Sequence, residues 1–214
     1  MKSIKKLLFG DKQFEGSQAY WEQRYKSGDN SGEGSYGELA QFKADTINAF
    51  VKESEIASVV EFGCGDGAQL TLAQYPSYRG YDVAETAVSL CREKHGNDES
   101  KSFAVLSEYA GETYDLAMSL DVIYHLVEDE VFAAHLTTVF GAADRLVIVY
   151  SSNFDLHSAP HVRHREFTKW IDENISGWSL LQKIDNPYPF DETTKKGSRA
   201  DFFVYVKTEN ESDA

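Results

Sequence analysis

Residues 59–67 read "VVEFGCGDG", an apolar run of strand character that ends on three glycines within five residues. Glycine inside a strand weakens it. Glycines just past a strand therefore mark a turn with positive φ, or a place where a ligand approaches the backbone closely. The downstream pattern restricts the fold further. From residue 57 strand and helix patterns alternate, with strands at 58–62, 79–82, 102–106, 114–120 and 145–150. Between them lie a short helix at 68–74, a helix at 84–95, and an amphipathic helix marked by Phe132, Leu136, Val139 and Phe140. Leu146–Tyr150 is apolar throughout, as in a strand buried on both faces. This alternation predicts an α/β protein with a doubly wound, mostly parallel seven-stranded sheet.

The last two strands of that sheet are expected from "WSLLQKI" and "ADFFVYVK", a C-terminal pair running antiparallel across a loop at 186–199. Before them come a polar loop at 151–165, rich in Ser and His, and a helix at 166–175 with Phe167, Trp170 and Ile171 facing inward. Upstream of the glycine turn, one helix is expected to start on Ser17 as its cap, with Tyr20, Trp21 and Tyr25 on one side. A Gly- and Ser-rich loop at 27–37 leads to a second helix marked by Leu39, Phe42, Ile47, Phe50 and Val51. With 214 residues the chain makes one domain: an N-terminal helical cap at 1–56, a core at 57–207 and an acidic tail at 208–214. The start "MKSIKKLLFG" reads as a frayed cationic tail or a weak docking segment. Its apolar run is too short for a signal-peptide core and no later segment is long enough to span a membrane, so a cytoplasmic protein is expected.

In an open α/β sheet the ligand lies outside the carboxyl ends of the strands, where the strand order reverses. The glycine turn ends the first strand, and the same edge carries Asp82 and Asp121. Asp82 closes the second strand, nineteen residues beyond Gly63, where a carboxylate can accept hydrogen bonds from both ribose hydroxyls. A nucleoside-containing cofactor fits these pieces. Gly63, Gly65 and Ala68 also satisfy the dinucleotide pattern G-x-G-x-x-G/A, which keeps an NAD-dependent oxidoreductase as the alternative. Against it stand Glu61 at the strand end, the late start of the motif and the antiparallel last pair. With 35 acidic and 21 basic residues the formal net charge is −14. That field repels phosphate backbones, so nucleic acid is not expected as a partner and small molecules are. Cys64 and Cys91, the only two cysteines, are expected as reduced thiols and cannot form a metal-ligand set by themselves.

With these motifs in hand, the chain resembles the class I S-adenosylmethionine-dependent methyltransferases. "VEFGCGDG" looks like their first motif, "GYDVAETAV" (80–88) like their second, and "YDLAMSLDVIYHL" (114–126) like the motif of their fourth strand, in the right order. The resemblance spans roughly residues 17–207 and implies a Rossmann-like core. It further implies that Gly63 and Gly65 admit the methionyl part of S-adenosylmethionine and that Glu61 holds its ammonium. Asp82 would grip the ribose, Val83 would pack on adenine, and Leu120 and Asp121 would line the sulfonium side. Ser107 departs from the family, which often has an Asp there for the adenine amino group; Glu108 is the possible replacement. Tyr20, Trp21 and Arg24 would form an N-terminal lid, with Arg24 on the cofactor carboxylate, or else belong to the core.

A hydroxyl acceptor benefits from a base, and histidine suits that role. His125 follows the fourth strand, while His157, His161 and His164 stand in the polar loop after the fifth. His125, His161 and His164 are the catalytic candidates; ordinary packing or a polar loop is the alternative. The three loop histidines with Asp155 or Glu166 match no metal motif, and no metal is expected. Arg163 and Arg165 could bind an anionic group of the substrate or lie at the surface. Similar stretches in small bacterial methyltransferases of surface-glycan or secondary-metabolite pathways suggest a small-molecule or glycan-type O or N acceptor. A cofactor-binding protein without catalysis is the other alternative.

Overall fold

The computed structural model describes residues 14–208. The lysine-rich start and the acidic residues after Thr208 lie outside the described residues. Seven strands make the central sheet: β1 (Val59–Phe62), β2 (Tyr78–Asp82), β3 (Lys101–Val105), β4 (Tyr114–Leu120), β5 (Ala143–Ser151), β8 (Trp178–Ile184) and β9 (Asp201–Lys207). Their order across the sheet is β3-β2-β1-β4-β5-β9-β8. β1 to β5 pair in parallel, and β9 runs antiparallel to both β5 and β8. The helices are α1 (Ser17–Lys26), α2 (Gly37–Glu53), α3 (Glu85–His95), α4 (Asp129–Gly141) and α5 (Phe167–Asn174).

Side-chain alternation sorts the core into two layers. Leu116, Met118 and Leu120 of β4, with Ile148 and Tyr150 of β5, face Ile47 and Val51 of α2 and Val88 and Cys91 of α3. Ala117, Val147 and Val149 face the other way, onto Phe132, Leu136 and Val139 of α4 and Phe167 and Ile171 of α5. Both faces are covered, which is why the central strands read as apolar runs. The chain winds outward in opposite directions from β1, so the order reverses between β1 and β4. A crevice opens above their carboxyl ends. Among the described residues no helix is long and apolar enough to cross a membrane.

Three local expectations are corrected. Residues 68–74 make only a 3₁₀ turn at Gln69–Leu72. The Asn48 amide of α2 accepts from the Gln74 N–H (2.8 Å) and donates to the Leu72 carbonyl (3.0 Å), taking groups a longer helix would need. Ser17 is the first helical residue, not the cap, which is Gly16. Its hydroxyl is used instead across the fold, its one hydrogen lying within reach of the His125 carbonyl (2.8 Å) and the Glu128 carboxylate (2.5 Å). The polar segment 151–165 is not a plain loop. It contains an antiparallel hairpin, β6 (Leu156–Ala159) and β7 (Val162–His164), outside the main sheet.

Candidate functional site

The turn after β1 stays tied to the neighbouring strand β2 by backbone hydrogen bonds. The amides of Gly63 and Cys64 both donate to the Tyr81 carbonyl of β2, at 2.7 and 3.1 Å. Gly63 (φ 94°) and Gly65 (φ 56°) sit in the region that L side chains rarely adopt. A Cβ on Gly63 would lie 2.4 Å from the Val122 side chain, and one on Gly65 would lie 2.4 Å from Ser31 Oγ. Asp82, at the end of β2, fixes this turn from the side. Its carboxylate accepts the Gly65 N–H and the Ala84 N–H, both at 2.9 Å. Each oxygen keeps lone-pair capacity for a further donor. Burial raises the Asp82 pKa to about 6, against the pull of those backbone amides.

The floor of the cleft carries two more carboxylates and one ammonium. Glu61, buried at the end of β1, accepts from Tyr78 Oη at 2.6 Å. Burial raises its pKa to about 7, with Tyr78 and Lys43 opposing. Asp121, just past β4 with φ 60°, is bound by Lys43 Nζ at 2.6 Å and Tyr124 Oη at 2.9 Å. Lys43 belongs to α2, is 1% exposed, and also lies over the Tyr150 ring. Gln69 completes this group. Its Nε2 donates to the Ala40 carbonyl, while its Oε1 is buried with no partner among the described residues. A buried acceptor left empty costs about 1–3 kcal/mol, so it is a place for a ligand donor.

The roof comes from the N-terminal segment. Trp21 and Tyr25 of α1 line the cleft. Ser31 meets the glycine turn twice: the Asp66 N–H donates to Ser31 Oγ (3.0 Å), and the Ser31 N–H donates to Asp66 Oδ2 (3.3 Å). Tyr25 Oη and Ser31 Oγ are 3.1 Å apart, and Tyr36 Oη also donates to Asp66. The Gly- and Ser-rich loop at 27–37 is thus hydrogen-bonded onto the turn.

The histidines separate. His125 lines the cleft, edge-on to Trp21. Its Nδ1 lies 3.2 Å from the His161 carbonyl, an acceptor only, so Nδ1 carries the hydrogen and Nε2 is left with a lone pair. Burial lowers its pKa to about 4, so the ring is neutral at neutral pH. His135, which no sequence signal singled out, also lines the cleft and pairs with Ser119. His161, in the turn of the hairpin, stacks on Tyr20 with ring centroids 4.5 Å apart and lies parallel to the His125 ring at 6.1 Å. His164 is buried between Ser152 (2.6 Å) and Ser158 (3.3 Å), and His157 is exposed. Among the described residues no group of His, Cys, Asp and Glu has the arrangement of a metal site.

Of the expected site residues, Glu61, Gly63, Gly65, Asp82, Val83, Leu120, Asp121 and His125 come together around one cleft. Ser107 lies next to it, in a groove that shares Val83 and Leu106 with the cleft. Tyr20, Arg24 and His161 line a separate surface depression, and Arg24 donates to the Asn30 carbonyl at 2.8 Å. Arg163 and Arg165 are bound to Asp129 and the Val127 carbonyl, fastening the hairpin to the start of α4. Lys43, Gln69 and Asp66 were missed. Lys43 alone had a signal, a lysine on the apolar stripe of its helix between Ala40 and Ile47.

Residues 60–146 match the family model described as "Methyltransferase domain". No curated protein sequence matches the chain. Among solved structures, the N-methyltransferase NodS from Bradyrhizobium japonicum WM9, in complex with S-adenosyl-L-homocysteine, is 14% identical with a TM-score of 0.70, over 91% of this chain and 100% of that one. Magnesium protoporphyrin IX methyltransferase from Synechocystis PCC 6803, with bound SAH, is 19% identical with a TM-score of 0.61, over 97% and 100%. The methyltransferase domain of bacterial CtHen1 is 20% identical with a TM-score of 0.63, over 80% and 100%. At these identities the likeness is one of fold. The reversed β9 between β5 and β8 separates this sheet from the all-parallel 3-2-1-4-5-6 order of dinucleotide-binding proteins.

Proposed function

We infer that the chain is a class I S-adenosylmethionine-dependent methyltransferase, a reading its domain match and fold support, and that it methylates an oxygen or nitrogen of a small or glycan-type acceptor. The observation that carries this reading is the convergence of Glu61, Asp82 and Asp121 on the Gly63–Gly65 turn in one buried cleft. S-adenosylmethionine, when bound, supplies an electrophilic methyl group on a sulfonium. The residues present suit it. Glu61 and the unpartnered Gln69 Oε1 offer acceptors for its ammonium, and Asp82 has capacity left for ribose hydroxyls. Val83 and Leu106 offer an apolar surface for adenine. Lys43, in place of Arg24, is the cation that lines the cleft and takes the carboxylate role in this reading. His125 keeps Nε2 free to accept the proton of an acceptor O–H or N–H, while the His161 carbonyl holds its tautomer. Net charge and the acidic lining favour a neutral or cationic small acceptor over nucleic acid.

The direct test is incubation with methyl-labelled S-adenosylmethionine and pools of small acceptors. Release of S-adenosylhomocysteine with label in an acceptor is expected. A protein that binds no cofactor overturns the reading.

Asp82→Asn is expected to weaken cofactor binding by about 1.5–3 kcal/mol, since an amide cannot accept two backbone N–H bonds and two hydroxyls. Calorimetric titration measures it, and unchanged affinity in a folded variant removes the ribose role. The same titration has a pH dependence. Free Glu61 and Asp82 hold protons below about 7 and about 6 respectively, while a cationic ligand requires them ionised. Affinity should therefore fall as pH drops through that window, with proton release on binding. For folding the sign is the opposite. Raised carboxylate pKa values contribute stability that is present below their unfolded values and lost as pH rises through the folded ones.

His125→Asn is expected to lower the methyl-transfer rate by about 10²–10⁴-fold with cofactor affinity little changed. Single-turnover rates with an identified acceptor decide it. A full rate leaves positioning alone as the source of rate enhancement.

A further inference from the structure

Cys64 sits within the glycine turn and lines the cleft. Cys91 rises from α3 directly against it, and the two sulfurs are 4.0 Å apart. They are the only cysteines in the chain, and methyl transfer uses neither thiol. Cys91 Sγ also donates to the Gly65 carbonyl at 3.1 Å, and a Cβ on Gly67 would lie 3.0 Å from it. The turn thus wraps over one thiol and contains the other. On its far side Cys64 rests on Gly80, where an added Cβ would sit 3.0 Å from both its Cβ and its sulfur.

We propose that Cys64 and Cys91 are an oxidation site, converted by a peroxide to a disulfide that distorts the glycine turn and weakens cofactor binding. The chemistry balances in two steps. Hydrogen peroxide transfers one oxygen to the Cys64 sulfur, giving a sulfenic acid and water. The Cys91 sulfur then attacks the Cys64 sulfur, the S–S bond forms, and hydroxide leaves and takes the Cys91 proton as a second water. Two thiols have lost two electrons and two protons to the peroxide. A disulfide requires sulfurs about 2.05 Å apart, so the pair must close by about 2 Å. Cys64 is itself part of the turn, between Gly63 and Gly65, and Cys91 gives up its hydrogen bond to the Gly65 carbonyl. The displacement therefore falls on the segment carrying Gly63 and Gly65.

Access sets the order of events. Cys91 is 0% exposed and Cys64 9%, so an oxidant reaches Cys64 through the cleft and a bound cofactor stands in its way. The hydrogen bond with Cys91 and burial hold the Cys64 thiol well above its ordinary pKa. Oxidation is therefore slow at neutral pH and accelerates as pH rises.

The experiment treats the full chain and its Cys91→Ala variant with hydrogen peroxide, with and without saturating S-adenosylhomocysteine. Free thiols are counted after denaturation, intact mass is recorded, and S-adenosylhomocysteine affinity is titrated before and after dithiothreitol. The expected result is loss of both thiols with a mass lower by two hydrogens, slowed by the ligand. Affinity should fall about ten- to hundredfold, the loss of one or two hydrogen bonds, and return on reduction. Cys91→Ala should gain oxygen on Cys64 and show no loss of two hydrogens. Thiols that persist, dimers linked between chains, or a disulfide that leaves affinity unchanged would overturn the proposal. The effect on affinity rests on the cofactor reading of the cleft, whereas the thiol count does not. A disulfide in a protein that binds no cofactor in either state upholds the oxidation and defeats both its regulatory effect and that reading.

Discussion

Gly65→Val is expected to give a folded protein with no measurable affinity for S-adenosylmethionine. Two effects add. At φ 56° a β-branched residue costs about 1–2 kcal/mol or more. Its Cβ would also lie 2.4 Å from Ser31 Oγ and 3.0 Å from Tyr25 Oη, so the roof must lift off the turn. The Gly65 amide moves with it and releases Asp82. Gly111→Val is the control, because Gly111 has φ 98° but open space around it. That variant bears backbone strain without a clash and should bind normally. Calorimetry on both, with thermal unfolding as the check of folding, gives the answer. Normal binding by folded Gly65→Val would make the turn purely structural.

Lys43→Met should produce the largest loss of stability at the site. The ammonium is 2% exposed and its partner Asp121 18%, so removing it leaves a mostly buried carboxylate with Tyr124 alone. Breaking a buried pair in this way costs about 3 kcal/mol. Denaturant titration measures it, and Asp121→Asn in the Lys43→Met background should recover most of the loss. Binding separates the structural part from the functional one. Lys43→Met should bind S-adenosylhomocysteine less tightly yet keep its affinity for 5′-methylthioadenosine, which lacks the amino-acid end. Equal losses for both ligands would mean that Lys43 only shapes the cleft.

The central strands were legible because burial on both faces leaves nothing else for such segments to do. Residues 114–120 form β4 as read, and the neighbouring boundaries moved by one or two residues. The glycine turn and Asp82 were legible for a related reason, since their chemistry is local to strand ends. What escaped depends on long-range partners. Asn48 shortens the helix expected at 68–74 from outside it. The hairpin β6–β7 hid in a polar run because much of its packing is aromatic and distant, with His164 between Tyr124 and Phe154. Arg24 looked free to reach a ligand, but the Asn30 carbonyl six residues on captures it. His125, His161 and His164 were the catalytic candidates, and tertiary packing brings only His125 to the lining of the cleft.

The hairpin has one more consequence. It lies outside the seven-stranded sheet, is fastened through Arg163 and Arg165 to the start of α4, and meets His125 through the His161 carbonyl and through the His161 ring, stacked at 6.1 Å. A carbonyl is the same whatever side chain stands at position 161. The tautomer of the imidazole thus depends on the backbone of the hairpin, while the stacking on it depends on the side chain at position 161. The proposed cofactor side is built on strand ends, where Gly63 and Gly65 leave no room for a side chain. The proposed acceptor side borders an appendage outside that sheet, so a change in the hairpin would reshape this side without rebuilding the strand ends.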